Sequence, residues 1–216
     1  MKTKGSTTLF CDLVKDAKGY KDLKFVKNDF LFKEDERPEG VYHIKKGKVK
    51  ILKHHNVEYP VILHIAKEGE QLGVQAVIDD TNHWNSAIAL DDVEVCFVPA
   101  KEFLQIINND NALKLEIMQS LCTRINRIEN QISSRSEKSA NQRFAEVLTF
   151  LAKDYGLSED KALNIDLSID ELASLAGTSR NYLAKIISDF SASGWIQTEE
   201  GRFKILQMPR LMETAK

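Results

Sequence analysis

The chain is poor in cysteine. It has three, Cys11, Cys96 and Cys122, far apart and in no C-x-x-C pair, so neither a disulfide framework nor a zinc site is expected and a reducing compartment suits it best. Long apolar runs are lacking too. No stretch approaches eighteen consecutive apolar residues, and MKTKGSTTLFCDLVKDAKGY has basic residues but no long apolar run before Asp12. A soluble, non-secreted, cytoplasmic protein that does not enter the membrane is expected. Nor is there a nucleophile paired with a base, a metal-ligand spacing or a phosphate loop, since KEGEQLG has neither the Gly-x-Gly pattern nor the Lys-Ser/Thr of a P-loop. An enzyme is therefore not expected. Internal repeats and low-complexity tracts are missing as well. The last shortage is of charge of one sign: 30 Lys and Arg stand against 32 Asp and Glu, a formal net charge of −2. What remains is ordinary globular material, 43% hydrophobic and 29% charged, enough for one large domain or two ordinary ones with a real core.

The periodicity divides the chain. From Leu23 to about Pro99, segments such as VYHIKKGKVKIL and VILHI alternate or cluster β-branched residues, with Gly40, Gly47, Gly69 and Gly73 as punctuation. Short strands with regular glycine turns predict an antiparallel barrel or roll. After Pro99 the text turns helical. KEFLQIINND is amphipathic, and from about residue 112 to 135 Met118, Leu121, Ile125, Ile128 and Ile132 recur at steps of three and four, an a/d seam with polar flanks. The seam suits either a helix lying on its own domain or one pairing with its twin, and the polar flanks favour the twin. SSRSEKSANQ, residues 133 to 142, has no apolar periodicity and is the expected hinge. RFAEVLTFLAKDYG then reads as a further helix with Phe144, Val147, Leu148 and Leu151 on one face.

The last third carries the chemistry. Ser168 followed by Glu171 is a capping box that starts a helix at Ile169, and Gly177 permits the sharp turn that must end it. Ala173 lies four residues before that glycine, while Leu183 and Ile186 lie six and nine beyond it, the spacing of a helix-turn-helix. An ordinary α-hairpin would share part of this pattern. The second helix, Ser179 to Phe190, should turn Leu183, Ile186, Ile187 and Phe190 inward and leave Arg180, Asn181, Ala184, Lys185 and Ser188 outside. Arginine can donate twice to guanine and asparagine can pair with adenine, so these are groove-reading types. TEEGRFKIL follows as a two-stranded wing with Arg202 and Lys204 placed for phosphates. From Lys138 to Lys216 there are ten Lys and Arg and eleven Asp and Glu, yet between Thr178 and Ser188 there are two cations and no anion. A locally basic face is expected, with Asp154, Glu159, Asp160 and Asp166 left behind in the preceding linker and helix end, and phosphate affinity depends on local contacts more than on net charge.

Roll, seam helix, hinge and winged helix-turn-helix, in that order, resemble the Crp/Fnr family of bacterial transcription regulators from about residue 20 to 210. GTSRNYLAKII, GVYHIKKGKVKIL and KEGEQLG carry the likeness, the last looking like the family's glycine-acidic-x-x-Gly turn into its ligand pocket. The resemblance implies an α+β fold: an N-terminal antiparallel double-stranded β-helix (a jelly-roll or β-roll), a long dimerisation helix, and a C-terminal winged helix-turn-helix. By the same token residues 1–138 form a cyclic-nucleotide-binding-like sensor with its dimerisation helix at about 112–135, and residues 139–216 the DNA-binding domain. It implies a homodimer on double-stranded DNA, two half-sites of a near-palindrome, a small-molecule effector and contact with RNA polymerase. Ser179 and Arg180 match the family's DNA-contacting Ser-Arg pair, and Lys185 stands where many members have a second reading arginine. Asn181 replaces the usual glutamate and cannot copy its acceptor-only role, which puts the usual half-site in doubt. Arg143 also matches a family arginine, with capping or a surface pair as the equal alternative.

The sensor departs further from the family. The effector pocket by resemblance comprises Gly69, Gly73, Val74, Trp84, Asn85, Ser86, Ile128 and Glu129. In cyclic-nucleotide-binding members a glutamate holds the ribose where Val74 stands here, and an Arg-Ser pair holds the phosphate where Trp84-Asn85 or Asn85-Ser86 stands. The purine contact, made there by a Thr-Ser pair, falls on Ile128 and Glu129. Without the arginine a buried phosphate loses its main partner, so cyclic AMP is not expected. Cys11 alone cannot hold an iron-sulfur cluster. Haem is not expected either, because His43 and His64 fall in strands as structural histidines would, with His54, His55 and His83 the other candidates. Cys96 and Cys122 lie in apolar text, where thiols are usually inert. The function expected is a sequence-specific DNA-binding regulator whose roll senses an unknown effector or needs none. The alternative is a small-molecule sensor whose winged domain serves protein contacts.

Overall fold

The computed structural model describes residues 6–54, 60–199 and 201–216. They fall into two compact units, divided between Ile125 and Asn126.

The first unit begins with helix α1 (Ser6–Val14), followed by strands β1 (Lys21–Phe25), β2 (Phe30–Phe32), β3 (Gly40–Lys46), β4 (Lys48–Lys53), β5 (Val61–Lys67) and β6 (Gln71–Leu72). A short helix α2 (Val74–Asp79), strands β7 (Ser86–Ala89) and β8 (Val93–Pro99), helix α3 (Ala100–Asn109) and the start of α4 (Asn111–Glu137) complete it. The strands make two four-stranded sheets, β1-β8-β3-β6 and β2-β7-β4-β5, antiparallel at every pairing. This is the jelly-roll expected from the alternating text.

Period-two side-chain direction explains why β3 and β8 are buried on both faces. Tyr42 and Ile44 of β3, with Val93, Val95 and Phe97 of β8, join Leu31, Val49, Ile51 and Ala87 in one core cluster. Val41 of β3, with Cys96 and Val98 of β8, joins a second cluster built with Phe10 and Val14 of α1, Val77 of α2, Phe103 of α3 and Leu113 of α4. His43 belongs to that second side, stacked on Phe10 with ring centroids 4.8 Å apart.

Helix α1 corrects the cysteine expectation. It seats Phe10 and Val14 with no exposed surface, which brings Cys11 against Cys96, 85 residues later. The two form a disulfide with Cα atoms 6.3 Å apart, inside the range such a bond spans. Spacing along the chain could not reveal this, because only the folding of α1 onto the roll closes the gap. Cys122 is exposed, contrary to the expected apolar setting.

The second unit contains the rest of α4, then α5 (Ala140–Tyr155), α6 (Ile169–Ala176), α7 (Arg180–Ala192), the hairpin β9 (Ile196–Glu199) and β10 (Arg202–Ile205), and α8 (Met208–Thr214). The polar stretch 133–142 is mostly helical. Helix α4 runs to Glu137, and only Lys138 and Ser139 interrupt it before α5, which opens with a capping box between Ser139 and Gln142. Exposure of α4 on most sides suffices to make its tail polar without breaking the helix. Phe144, Leu148 and Leu151 of α5 are buried, and the Phe144 and Phe190 rings stand 5.8 Å apart.

Candidate nucleic-acid interface

The two-helix element assembles from local signals. Ser168 Oγ accepts from Glu171 N at 3.2 Å, and the Glu171 carboxylate accepts from Ser168 N at 2.8 Å, so both ends of the capping box are made. Gly177 adopts φ 61° and ψ 45°, the left-handed conformation that ends α6 and turns the chain. A Cβ there would also come within 3.2 Å of Arg135 Nε, a tight approach that the arginine side chain would have to yield to. Ser179 caps α7, its hydroxyl accepting from Tyr182 N at 3.3 Å. That capping is a second duty beside the phosphate contact expected of it.

Arg143 is the residue whose role was open. Its guanidinium donates from Nε to Ala176 O at 2.8 Å, from Nη2 to Gly177 O at 3.0 Å, and from Nη1 to Lys138 O at 2.6 Å. It therefore caps the carbonyl end of α6 and ties the turn to the start of α5. No spacing in the sequence signals such a clamp, because its acceptors are backbone atoms.

Helix α7 separates its faces as expected. Leu183, Ile186 and Phe190 are buried, Ile187 is half-buried, and Arg180, Asn181, Ala184, Lys185 and Ser188 are exposed. In the wing Arg202 pairs in register with Glu199, and Lys204 with Gln197. Glu200, part of the expected wing, lies outside the described residues.

The electrostatics of this face differ from the expectation. Arg180 Nη1 donates to Asp170 Oδ2 at 2.5 Å. Arg202 Nε stands 3.9 Å from Asp166, and Lys204 Nζ pairs with Glu199 and, at 3.3 Å, with Asp160. The anions absent between residues 178 and 188 arrive through space, so Asp160 and Asp166 are not left behind in the linker. The Ser158 hydroxyl and then the Lys204 ammonium hold the Asp160 carboxyl down at about 2, while Glu199 and Asp160 raise the Lys204 ammonium. Three of the four cations, Arg180, Arg202 and Lys204, thus meet the four carboxylates Asp160, Asp166, Asp170 and Glu199, and with Lys185 counted the face is close to neutral.

In the roll unit, Gly69 lies in the turn before β6 and donates its N–H to Ile44 O at 2.9 Å, while Gly73 caps α2 at φ 82°. A Cβ on Gly73 would meet Gly40 O at 2.9 Å, so the backbone approaches closely there. Val74 is buried, Trp84 is exposed, and the Asn85 side chain is intermediate. Ser86, buried, accepts from Glu34 N at 2.9 Å, which commits its hydroxyl to the fold. The cation beside Trp84 is Lys53, whose ammonium pairs with Glu34, donates to Trp84 O at 2.9 Å and lies 5.4 Å from the Trp84 ring centroid. That pairing, with the His54 backbone N–H, holds the Glu34 carboxyl below the usual carboxylate range. Ile128 and Glu129 belong to the second unit, both exposed on α4.

Among the candidate histidines, His43 and His64 are buried in strands, and His83 is buried and stacked on Phe32 at 3.9 Å. Burial pushes the His83 imidazole below its ordinary value. His54 is exposed, and His55 lies outside the described residues. No cluster of three or more His, Cys, Asp or Glu that could hold a metal ion occurs among the described residues.

Along the seam of α4, Met118, Ile125, Ile128 and Ile132 are exposed, each with 46–64% of its surface open. Leu115, 52% exposed, extends the line one step earlier and was missed, although it lies three residues before Met118. Leu121 differs, because it packs against the core of its own roll. No helix among the described residues is long and apolar enough to cross a membrane.

Comparison with known proteins agrees with this architecture. Residues 22–110 match the family described as cyclic nucleotide-binding domain, and residues 142–214 match the Crp-like helix-turn-helix domain. A "CRP-like cAMP-activated global transcriptional regulator" of Mycobacterium tuberculosis is 26% identical over 202 residues, covering 93% of this chain and 90% of that protein. A "Global nitrogen regulator" of Synechocystis is 21% identical over 185 residues, covering 84% of this chain and 82% of its own. Among solved structures, a CRP/FNR-family regulator from Thermus thermophilus superposes with a TM-score of 0.78 at 20% identity, over 90% of this chain and 98% of that one. FixK2 from Bradyrhizobium japonicum superposes with 0.79 at 17% identity, over 91% and 98%.

Proposed function

The chain belongs to the Crp/Fnr family of DNA-binding transcription regulators, and from that premise we propose that it binds a near-palindromic duplex as a homodimer, under a roll that senses an effector other than cyclic AMP or needs none. The observation that carries this is α7, which buries Leu183, Ile186 and Phe190 and offers Arg180, Asn181 and Lys185 to solvent. In this reading Arg180, Asn181 and Lys185 contact base edges, and Ser179, Arg202 and Lys204 contact phosphates.

The exposed line Leu115, Met118, Ile125, Ile128 and Ile132 supports pairing of α4 with its twin, since an apolar stripe of this kind is covered in a stable protein. Two half-sites then follow from two-fold symmetry. Against cyclic AMP stands the chemistry around Trp84: the nearby ammonium, Lys53, is already neutralised by Glu34, and Val74 brings methyl groups where a ribose would need an acceptor. The donor sets of haem and iron-sulfur groups find no support in the stacked His83 or in Cys11, whose sulfur is bonded to Cys96. The compartment is the cytoplasm, where the DNA is and where a disulfide is subject to reduction. RNA polymerase is the protein partner of this reading, in which the chain acts by binding and not as an enzyme.

Selection of random duplexes by the purified full-length protein, without ligand and at fixed salt, is the test. Enrichment of a palindrome is expected. Arg180→Ala should then reduce discrimination between sequences, whereas Lys204→Ala should weaken all sequences alike and flatten the salt slope by about one. The neutral face favours a second reading, in which the winged unit docks on protein; failure of the folded protein to enrich any duplex, with or without cell metabolites, would select it.

A further inference from the structure

We propose that Asp170 is a specificity-determining residue, a carboxylate that holds Arg180 in place for a base edge and competes with the phosphate backbone for it. This rests on the DNA-binding reading above.

Helix α6 has two acidic residues in its first turn, Asp170 and Glu171. The Glu171 carboxylate is engaged by the Ser168 backbone at 2.8 Å, which leaves Asp170 to face α7. Arg180 occupies the first position of α7, where the positive end of the helix dipole disfavours a cation. A carboxylate 2.5 Å away removes that penalty and fixes the guanidinium from its Nη1 side. The remaining donors, on Nη2 and Nε, stay available for two acceptors at once.

A phosphate and a guanine edge make different demands on this pair. A phosphate is a charged acceptor, so it offers Arg180 an exchange of one anion for another, and its own charge is repelled by Asp170. Guanine O6 and N7 are neutral acceptors side by side, which the free edge of the guanidinium can meet while Asp170 keeps its hold. The same carboxylate therefore weakens every non-specific complex and orients the arginine in the specific one. This accounts for a reader whose face is neutral when free.

The test compares wild type with Asp170→Asn and Asp170→Glu, as full-length protein, on the duplex enriched by selection and on an unrelated duplex of equal length at one salt concentration. In Asp170→Asn, the unrelated duplex should bind about fivefold more tightly, from an exposed charge pair lost in each of two subunits. The selected duplex should bind no more tightly than before, so the specificity ratio falls, and Asp170→Glu should restore most of it. An unchanged ratio in Asp170→Asn, with wild type discriminating between the duplexes, would overturn the role of Asp170 alone. Absence of duplex binding by wild type and both variants at low salt would remove the DNA-binding reading and this role with it.

Discussion

Replacing Arg143 by alanine separates two roles that its position alone left equal. As a clamp, Arg143 supplies three charged donors to carbonyls of Ala176, Gly177 and Lys138. The bonds to Ala176 and Lys138 are partly buried, and the one to Gly177 is exposed, where water replaces the lost donor. At about 1.5 kcal/mol for each of the two sheltered bonds, the low end for a charged donor, Arg143→Ala should cost the winged unit about 3 kcal/mol. For a unit of this size that corresponds to a fall in Tm of about 12 °C or more. Arg143→Lys should fall between, since an ammonium reaches one carbonyl but cannot span three. Calorimetry of the full-length protein, following the transition of this unit, measures the effect. A shift under about 3 °C would refute the clamp.

Three further outcomes are expected. Reduction with dithiothreitol should lower the melting temperature of the roll unit, and Cys11→Ser with Cys96→Ser should abolish that sensitivity. The closed loop of 85 residues is worth at most about 4–5 kcal/mol in the chain-entropy view. For His83, burial holds the folded imidazole below its ordinary value of 6.5, so the unfolded chain takes up the proton more readily and stability falls as pH drops below about 6.5. Urea midpoints at about pH 7.5 and 5.5 should therefore diverge more for wild type than for His83→Phe; an equal divergence would remove His83 as the cause. Ile128→Asp should convert the proposed dimer to monomer in sedimentation equilibrium, and a retained dimer would place the interface elsewhere.

Much of this fold was legible because its signals are local. Ser168, Glu171 and Gly177 fix the ends of α6 by hydrogen bonds and backbone conformation that each residue carries with it, and the observed caps fall on those residues. Alternation in VYHIKKGKVKIL gave the roll for the same reason. What stayed hidden was long-range. Asp160 and Asp166 precede α7 by many residues yet return to the wing, and Cys11 reaches Cys96 only because α1 folds back on β8. The helical ends within 133–142 were hidden for another reason: a polar tail on a helix exposed on most sides has no apolar period to read, although α4 runs on to Glu137 before the break at Lys138 and Ser139. Leu121 shows the limit of the seam, since an a/d position can face its own domain as well as a partner.

The division of α7 by face bears on how such a protein changes its target over time. Leu183, Ile186 and Phe190 carry the folding of the unit, while Asn181 and Lys185 stand in solvent. Exposed substitutions of that kind shift stability by only about 0.5 kcal/mol. In the proposed reading, where Asn181 and Lys185 contact bases, a lineage can therefore drift from one operator to another by single steps at these residues, each intermediate still folded. Position 180 is different in that reading, because losing its arginine leaves the Asp170 carboxylate without its partner. Residues 170 and 180 should consequently change together among relatives, a pair linked across α6 and α7, while the other outward positions of α7 vary one by one.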